Sequence, residues 1–340
     1  MHGIQAEVLL STYFFDIGRV VEGQYHLSTA VSLAIGIGLH QIRSARAGRT
    51  ATTLPPPRDP VEEGERINAF WAVYTLSSIW GVALGSPSVS VFERNGDTIN
   101  TPWPLDMADY EQNGLPHDLV GASTVQNFLF RVQPRTGGVV SSVNALASQA
   151  SVLLHSAGNL AAEFQSEMTS AERQRSFQLF GSLDGLIDTF IGSRLPPIGR
   201  LEPTSRVFGA ALLTHTLAYA SSMQLHSPFI DRDPSSMAKS LAAAEASVSL
   251  LRRANGAEFM PPVMAMLWVN VGRVILKEVA RLRRSNRGNR RHGGNGGGSE
   301  REGELLRDLE RIMETMLTFA ESSPLMRSQL ANLQELYRSL

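Results

Sequence analysis

The histidines of this sequence do not fall at the spacing of a metal or catalytic site. His26 and His40 lie on one predicted helix, fourteen residues apart. At about 1.5 Å of rise per residue they are separated by roughly 21 Å, too far to share a metal ion. His215 and His226 are too far apart on another predicted helix. The histidines are therefore interpreted as core or surface residues.

The remaining chemically useful patterns are incomplete. Asp184 and Asp188 lie one turn apart beside an apolar helix face, and a solvated helix edge is favoured over paired acid and base work. Gly36 and Gly38 fall inside a helical pattern with no strand before them, so they do not form a dinucleotide loop. The chain has no cysteine, which excludes disulfides and thiolate zinc sites within it. The sequence predicts no catalytic residue, no metal ligand and no cofactor in this chain.

Large aromatic side chains form the one pattern that would suit a small-molecule pocket. Trp71, Tyr74 and Trp80 recur at helical spacing, and Trp268 would lie near the same pocket. An aromatic stripe of this kind more often belongs to a core, and that alternative is favoured.

A basic stretch near the C-terminus is the only strong charge cluster. Six arginines within eleven residues are typical of a nuclear-import signal or of a nonspecific phosphate contact. The favoured alternative is a helix end that runs into a solvated loop, because cations stabilise helix C-termini. The residues are Arg281, Arg283, Arg284, Arg287, Arg290 and Arg291.

The composition is that of an ordinary globular protein without a strong field. The 340 residues are 43% hydrophobic and carry a net charge of −1, which favours neither nucleic acid nor an acidic membrane. No apolar run approaches the roughly 18 residues of a membrane helix, and the N-terminus lacks a secretory pattern. We expect the protein inside the cell, in cytosol or nucleus.

Apolar residues recur three and four apart through most of the chain, which predicts an all-α fold of about eight or nine helices. A helical hairpin over 4–42 is expected to pack on a helix over 63–84 that is apolar nearly all round and therefore buried. Residues 88–121 are interpreted as a polar, extended surface segment. Further helices are predicted over 143–284 and 301–340, joined by a disordered Gly/Arg-rich loop over 287–299.

Several short motifs, in order, resemble those of one family. The first region contains Gln5-Ala6, Leu9-Leu10, Ala30, Ala34 and Gly38-Leu39-His40. The second contains Glu65-Arg66, Phe70-Trp71, Tyr74 and Gly85-Ser86-Pro87, followed by Ile99, Thr101 and Pro102. A later element reads Leu225-His226-Ser227-Pro228-Phe229. Together they resemble the middle homology region of fungal zinc-cluster transcription factors, most clearly over 1–105. Ser77 and Ser86 depart from the family pattern, which has Asp and Arg there in many members.

The resemblance implies that 1–340 is a single helical regulatory domain in the nucleus, working through protein partners, a homodimer or a small-molecule effector. Zinc and DNA contacts would lie in an N-terminal zinc cluster, which requires six cysteines that this chain lacks. The sequence is then expected to be a shortened gene product or a stand-alone regulatory fragment. The alternative is a helical protein-interaction scaffold without a transcriptional role; an enzyme with a helical pocket is disfavoured.

One structural consequence of the resemblance concerns the first helix. Helices that precede Gln5 in the family are absent from this sequence, so part of the apolar surface of the first hairpin is expected to be exposed. Full burial of Leu9, Leu10, Tyr13 and Phe14 would contradict this expectation.

Overall fold

The structure, a computed structural model, describes residues 1–44, 54–85, 98–112, 114–116, 119–132, 142–165, 167–202, 205–254, 257, 260–290 and 297–340. These residues form twelve α-helices and no strand, so the predicted all-α class is confirmed. None of the helices among them is long and apolar enough to cross a membrane.

The chain falls into two compact units, whereas the sequence suggested a single domain. The first unit contains residues 1–15 and 19–195, and the second contains residues 16–18 and 196–340. The main boundary follows Leu195, where Pro196 and Pro197 prevent a helix from continuing. Each unit is described by itself.

The first unit is built from seven helices. They are α1 (His2–Asp16), α2 (Val20–Gly36), α3 (Pro60–Ala83), α4 (Met107–Gln112), α5 (Thr124–Leu129), α6 (Val143–Glu163) and α7 (Ser170–Thr189). Helix α3 is central and packs against α2, α4 and α6. It begins at Asp59, whose carboxylate accepts a hydrogen bond from the Glu62 amide at 2.8 Å, and Pro60 occupies the first helical position. Its buried side chains lie on most sides, as the sequence predicted, and Glu65 and Ala72 are exposed on the remaining side.

Helix α1 reaches this centre through one aromatic contact. The Phe15 ring stacks on Trp80 of α3, with centroids 3.8 Å apart. A Cβ at Gly23 of α2 would lie 2.6 Å from the Phe15 ring, so glycine is required where α1 and α2 meet. The Ser11 hydroxyl donates to the Gly23 carbonyl at 2.9 Å across the same contact.

The second unit contains five helices around α10. They are α8 (Arg206–His226), α9 (Pro234–Leu251), α10 (Met264–Arg290), α11 (Gly297–Phe319) and α12 (Pro324–Arg338). Helix α10 packs against the other four and carries buried Trp268. Gly272 allows close approach of α12, because a Cβ there would lie 2.6 Å from a Leu333 methyl group.

Three predicted boundaries differ from the structure. Helix α2 ends at Gly36, because Gly38 has a φ of +76° that a right-handed helix cannot contain, and a 3-10 turn follows over Leu39–Gln41. Helix replaces the predicted disorder at 287–290, where the arginines at the end of α10 are good helix formers, and at 297–299, the first residues of α11. Residues 291–296 lie outside the described residues.

The third difference is the largest. Residues 98–102 are not on the surface, because Ile99, Asn100 and Thr101 are all buried in the first unit. Burial is possible because their polar groups find partners in the turn that follows α2, at distances given below. The part of the predicted surface segment over 88–97 lies outside the described residues.

The expected exposure of the first helix is confirmed. Leu9, Leu10 and Tyr13 are exposed, and Phe14 is half-buried.

A glycine substitution tests the packing of α3. A Cβ at Gly64 would lie 2.5 Å from the buried Tyr110 ring, so Gly64→Ala should lower the free energy of unfolding by about 1–3 kcal/mol. Gly181 lies on an exposed face of α7 with nothing within 4 Å of a Cβ, so Gly181→Ala should raise it by about 0.5–1 kcal/mol. Urea unfolding measures both. Equal stability of the two variants would contradict the close contact between α3 and Tyr110.

Candidate functional site

Some of the residues that carry the family resemblance meet around α3, whereas residues 225–229 belong to the second unit. We call this set the motif cluster, defined by the turn at 39–42, the segment 100–102 and Trp71. The amides of Asn100 and Thr101 donate to the His40 carbonyl at 2.9 and 3.2 Å. The Thr101 hydroxyl donates to the Leu39 carbonyl and accepts from the Ile42 amide at 3.1 Å. Two segments about sixty residues apart in sequence are thereby joined through backbone groups.

Asn100 extends the cluster through its side chain. Its amide nitrogen donates to the side-chain oxygens of Gln41 at 2.7 Å and Ser44 at 2.8 Å, and its amide oxygen accepts from the Ser123 backbone at 2.8 Å. Gly121 lies against the Asn100 carbonyl so closely that a Cβ would be 1.6 Å from the oxygen. Position 121 therefore accepts only glycine in this fold.

Trp71 connects the cluster to the centre of α3. Its indole N–H donates to the Pro102 carbonyl at 2.6 Å, and its ring stacks on Trp103 with centroids 4.4 Å apart. Phe70 and Tyr74 make edge contacts with the same ring at 5.1 and 5.4 Å. These aromatic side chains pack directly against one another, as side chains in a hydrophobic core do.

The four aromatic residues predicted to line an effector pocket are all buried in packed surroundings. Trp71, Tyr74 and Trp80 belong to the first unit and Trp268 to the second, and each is at most 2% exposed. A shallow groove of about 480 Å³ at the start of α7 is lined by Met168, Ser170, Arg173, Gln174 and Phe177, and contains none of these four. An effector pocket at the four aromatics stays a prediction.

The charged motif residues serve the start of α3. Arg66 is buried and donates to Glu62 at 2.6 Å and to the Pro55 carbonyl at 2.7 Å. Hydrogen bonds from the side chain and backbone of Arg58, and then from Arg66, hold the pKa of Glu62 at about 2. Glu65 is exposed, Gly85 ends the helix with a φ of +65°, and Pro87 lies outside the described residues.

An ion pair that the sequence did not indicate lies beside the cluster. Arg43 donates to both carboxylate oxygens of Glu63 at 2.7 and 2.8 Å, and also to the Pro116 carbonyl. Arg43, Glu63 and Asn100 are ordinary surface-type residues by sequence. Their partners lie far away in sequence, so no periodic pattern in the sequence could have identified these contacts.

The predicted basic patch is partly neutralised within α10 and α11. Arg281 donates twice to Glu278 at 2.7 Å, and Arg283 donates to Glu302 at 2.7 Å. Arg284 donates to the Ala280 carbonyl at 3.3 Å. Arg287 and Arg290 complete the end of α10, and Arg291 lies outside the described residues. The local charge is therefore smaller than the arginine count suggests.

The part of the chain that the structure describes contains no group of three His, Asp or Glu side chains placed to hold a metal ion. His155 on α6 is a buried titratable group whose pKa is strongly shifted. It is 6% exposed and lies 3.1 Å from the Asn159 amide nitrogen, and burial lowers its pKa to about 4. A histidine kept neutral in a core affects stability and does not by itself provide chemistry.

Comparison with known proteins gives one result. Residues 1–120 match the family described as the fungal specific transcription factor domain. No curated protein and no solved structure matches the chain. All three parts of the motif cluster lie inside the matched range, whereas residues 225–229, which also carry the resemblance, lie outside it.

The Thr101 hydroxyl provides a direct test of the motif cluster. Thr101→Val keeps the shape but leaves the Leu39 carbonyl without this donor and the Ile42 amide without this acceptor, so stability should fall by about 2–4 kcal/mol. Thr29→Val is the control, because the Thr29 hydroxyl bonds only the Tyr25 carbonyl one turn before it on an exposed helix face. Urea unfolding that shows the same small change for both variants would argue against the cluster.

Burial of His155 predicts a dependence of stability on pH. The pKa of about 4 in the folded state lies below the unfolded value of about 6.5, so the unfolded chain takes up a proton first. The contribution of His155 is complete above pH 6.5, falls by about 3 kcal/mol down to pH 4, and is constant below.

The measurement is urea unfolding between pH 7 and pH 4 for the wild type, His155→Gln and the exposed control His2→Gln. The wild type and His2→Gln should lose stability in parallel, and His155→Gln should lose less over the same range. Identical slopes for all three would show that His155 does not carry the effect.

Proposed function

We propose that this chain, whose residues 1–120 form a fungal specific transcription factor domain, is the regulatory part of a zinc-cluster transcription regulator. It controls DNA-templated transcription through contacts with partner proteins or a small-molecule effector. The observation that supports this is the family match, together with the joining of its characteristic residues in the motif cluster. Nearly all residues of the motif cluster are buried, so they would stabilise the fold. The regulatory contacts themselves would be made by exposed surfaces.

The division of labour follows from composition. A zinc cluster requires six cysteine thiolates, and the 340 residues contain none. Zinc binding and direct DNA contact would therefore belong to a different segment of the regulator. A net charge of −1 gives this chain no general attraction for the phosphate backbone of DNA.

Nuclear location is part of the same proposal. The family acts on transcription, and the arginines at the end of α10 are suited to recognition by the import machinery. Arg284 keeps its charge without a carboxylate partner among the described contacts, whereas Arg281 and Arg283 are paired with glutamates. The end of α10 would then act as the nuclear-import signal. The glutamates paired with Arg281 and Arg283 would limit nonspecific binding to nucleic acid.

A second candidate function is a helical scaffold for protein interaction with no transcriptional role. The observation behind it is the exposed apolar surface of α1, which could contact a protein partner without any transcriptional role. Native-level expression separates the two, because the proposed regulator is nuclear and changes transcription, whereas a scaffold need do neither.

A reporter assay tests the proposal. The chain is inserted between a heterologous DNA-binding domain and an activation domain, and we expect transcription to change by about fivefold or more relative to the fusion without it. Thr101→Val should reduce this effect and Thr29→Val should retain it. An unchanged reporter, with the chain folded and in the nucleus, would contradict a regulatory role.

A further inference from the structure

Hydroxyl side chains follow a cluster of arginines at three positions of the chain. Thr50, Ser176 and Ser285 each have two or more arginines among the four residues that precede them. An enzyme that modifies a hydroxyl in such surroundings must offer acidic groups to the arginines, as a protein kinase with an acidic peptide groove does. Thr50 lies outside the described residues, so the structure distinguishes between the two serines.

Ser176 on α7 is shielded by the fold although two arginines precede it. It is 4% exposed, and its hydroxyl donates to the Glu163 carboxylate of α6 at 3.2 Å. The start of α7 is fixed by a capping box, in which the side chains of Thr169 and Glu172 each accept from the other's backbone amide. Modification of Ser176 would therefore require α7 to open or to separate from α6.

Ser285 on α10 is accessible and has the stronger charge pattern. It is exposed and directly follows three arginines, Arg281, Arg283 and Arg284, of which the first and last are exposed beside it. Helix α10 ends five residues later, and a glycine among those five weakens the helix. Helix ends open at little cost in free energy, so a kinase can bind the chain around Ser285 in extended form while the rest of the unit stays folded.

We propose that Ser285 is a phosphorylation site for a protein kinase with an acidic peptide groove, and that the phosphate weakens the arginine stretch as a nuclear-import signal. The Ser285 Oγ attacks the γ-phosphorus of ATP, the bond from that phosphorus to the bridging oxygen of ADP breaks, and the hydroxyl proton passes to a carboxylate of the kinase. The products are phosphoserine and ADP. Only the effect on import rests on the function proposed above.

The effect on import follows from the charges around Ser285. A phosphate brings about −1.5 to −2 charges at neutral pH and three acceptor oxygens. Arg281 lies one helical turn before Ser285 and donates to Glu278 at 2.7 Å, so the phosphate would compete with Glu278 for this guanidinium. Arg284 is the direct neighbour of Ser285 in sequence. The phosphate would therefore reduce the positive potential through which a basic import signal is recognised.

Phosphorylation of the full chain tests the site, with ATP and the catalytic subunit of cAMP-dependent protein kinase as the probe. Two peptides, residues 170–182 and 279–291, measure what each sequence allows without the fold. With each rate divided by that of its own peptide, Ser285 in the folded chain should be phosphorylated at least about tenfold faster than Ser176. Site-resolved mass spectrometry measures both rates.

Two alanine variants control this measurement. Ser285→Ala should remove the phosphate at position 285, and Ser249→Ala, at an exposed serine of α9 without preceding arginines, should leave the rate at Ser285 unchanged. Equal relative rates at Ser176 and Ser285, or a folded chain that takes up no phosphate at Ser285, would overturn the proposal.

Location in the cell tests the effect on import. Ser285→Glu places a negative charge at this position, and Ser285→Gln has the same shape without the charge. With the full chain fused to a fluorescent protein, the nuclear-to-cytoplasmic ratio of Ser285→Glu should be at least about threefold lower than that of Ser285→Gln. Equal ratios in a chain that is nuclear would overturn the effect on import alone. A wild type outside the nucleus would overturn the import role proposed above together with this effect, whereas the kinase measurement decides the phosphorylation site by itself.

Discussion

The structure of the first unit depends on how the carbonyls of Leu39 and His40 are satisfied. Helix α2 stops at Gly36, and the turn that follows carries buried peptide groups that its own geometry does not pair. A buried carbonyl without a donor costs about 1–3 kcal/mol, so the chain must supply donors from elsewhere. It does so with Asn100 and Thr101, and this requirement draws the segment after α3 into the core. Pro102 then lies where Trp71 can bond its carbonyl.

Each element can be predicted from the sequence only if it shows a recognisable pattern, such as a periodic apolar stripe. Helices α3, α6 and α8 to α12 bury periodic apolar stripes, and periodicity identifies them. The segment at 98–102 has no period, because side-chain and backbone bonds to the turn at 39–42 hold it in place. Gly38 fits the helical pattern because apolar spacing continues through it, and only its left-handed φ shows that the helix has ended. The resemblance nevertheless selected Thr101 and Pro102, which periodicity alone would not.

The same distinction applies to the site. The spacing of Trp71 and Tyr74 fits a pocket and a core equally well, so the sequence alone does not distinguish them. Their ring contacts and full burial show packing. Because Trp71 and Tyr74 are buried, a regulatory contact would use side chains that the folded chain exposes. The exposed candidates among the described residues include the apolar side chains Leu9, Leu10 and Tyr13 of α1, the groove at the start of α7, and Arg281 and Arg284 on α10.

Amide hydrogen exchange tests most directly whether the motif cluster holds the first unit together. The amides of Asn100 and Gly121 bond the carbonyls of His40 and Arg43 at 2.9 and 2.8 Å, and neither lies in a helix that could protect it. If the cluster is integral, both should exchange as slowly as the amides of Val73 and Tyr74 in the middle of α3, through unfolding of the whole unit. Rapid exchange at Asn100 and Gly121 while α3 stays protected would show that the segment only covers the core, and would contradict this account.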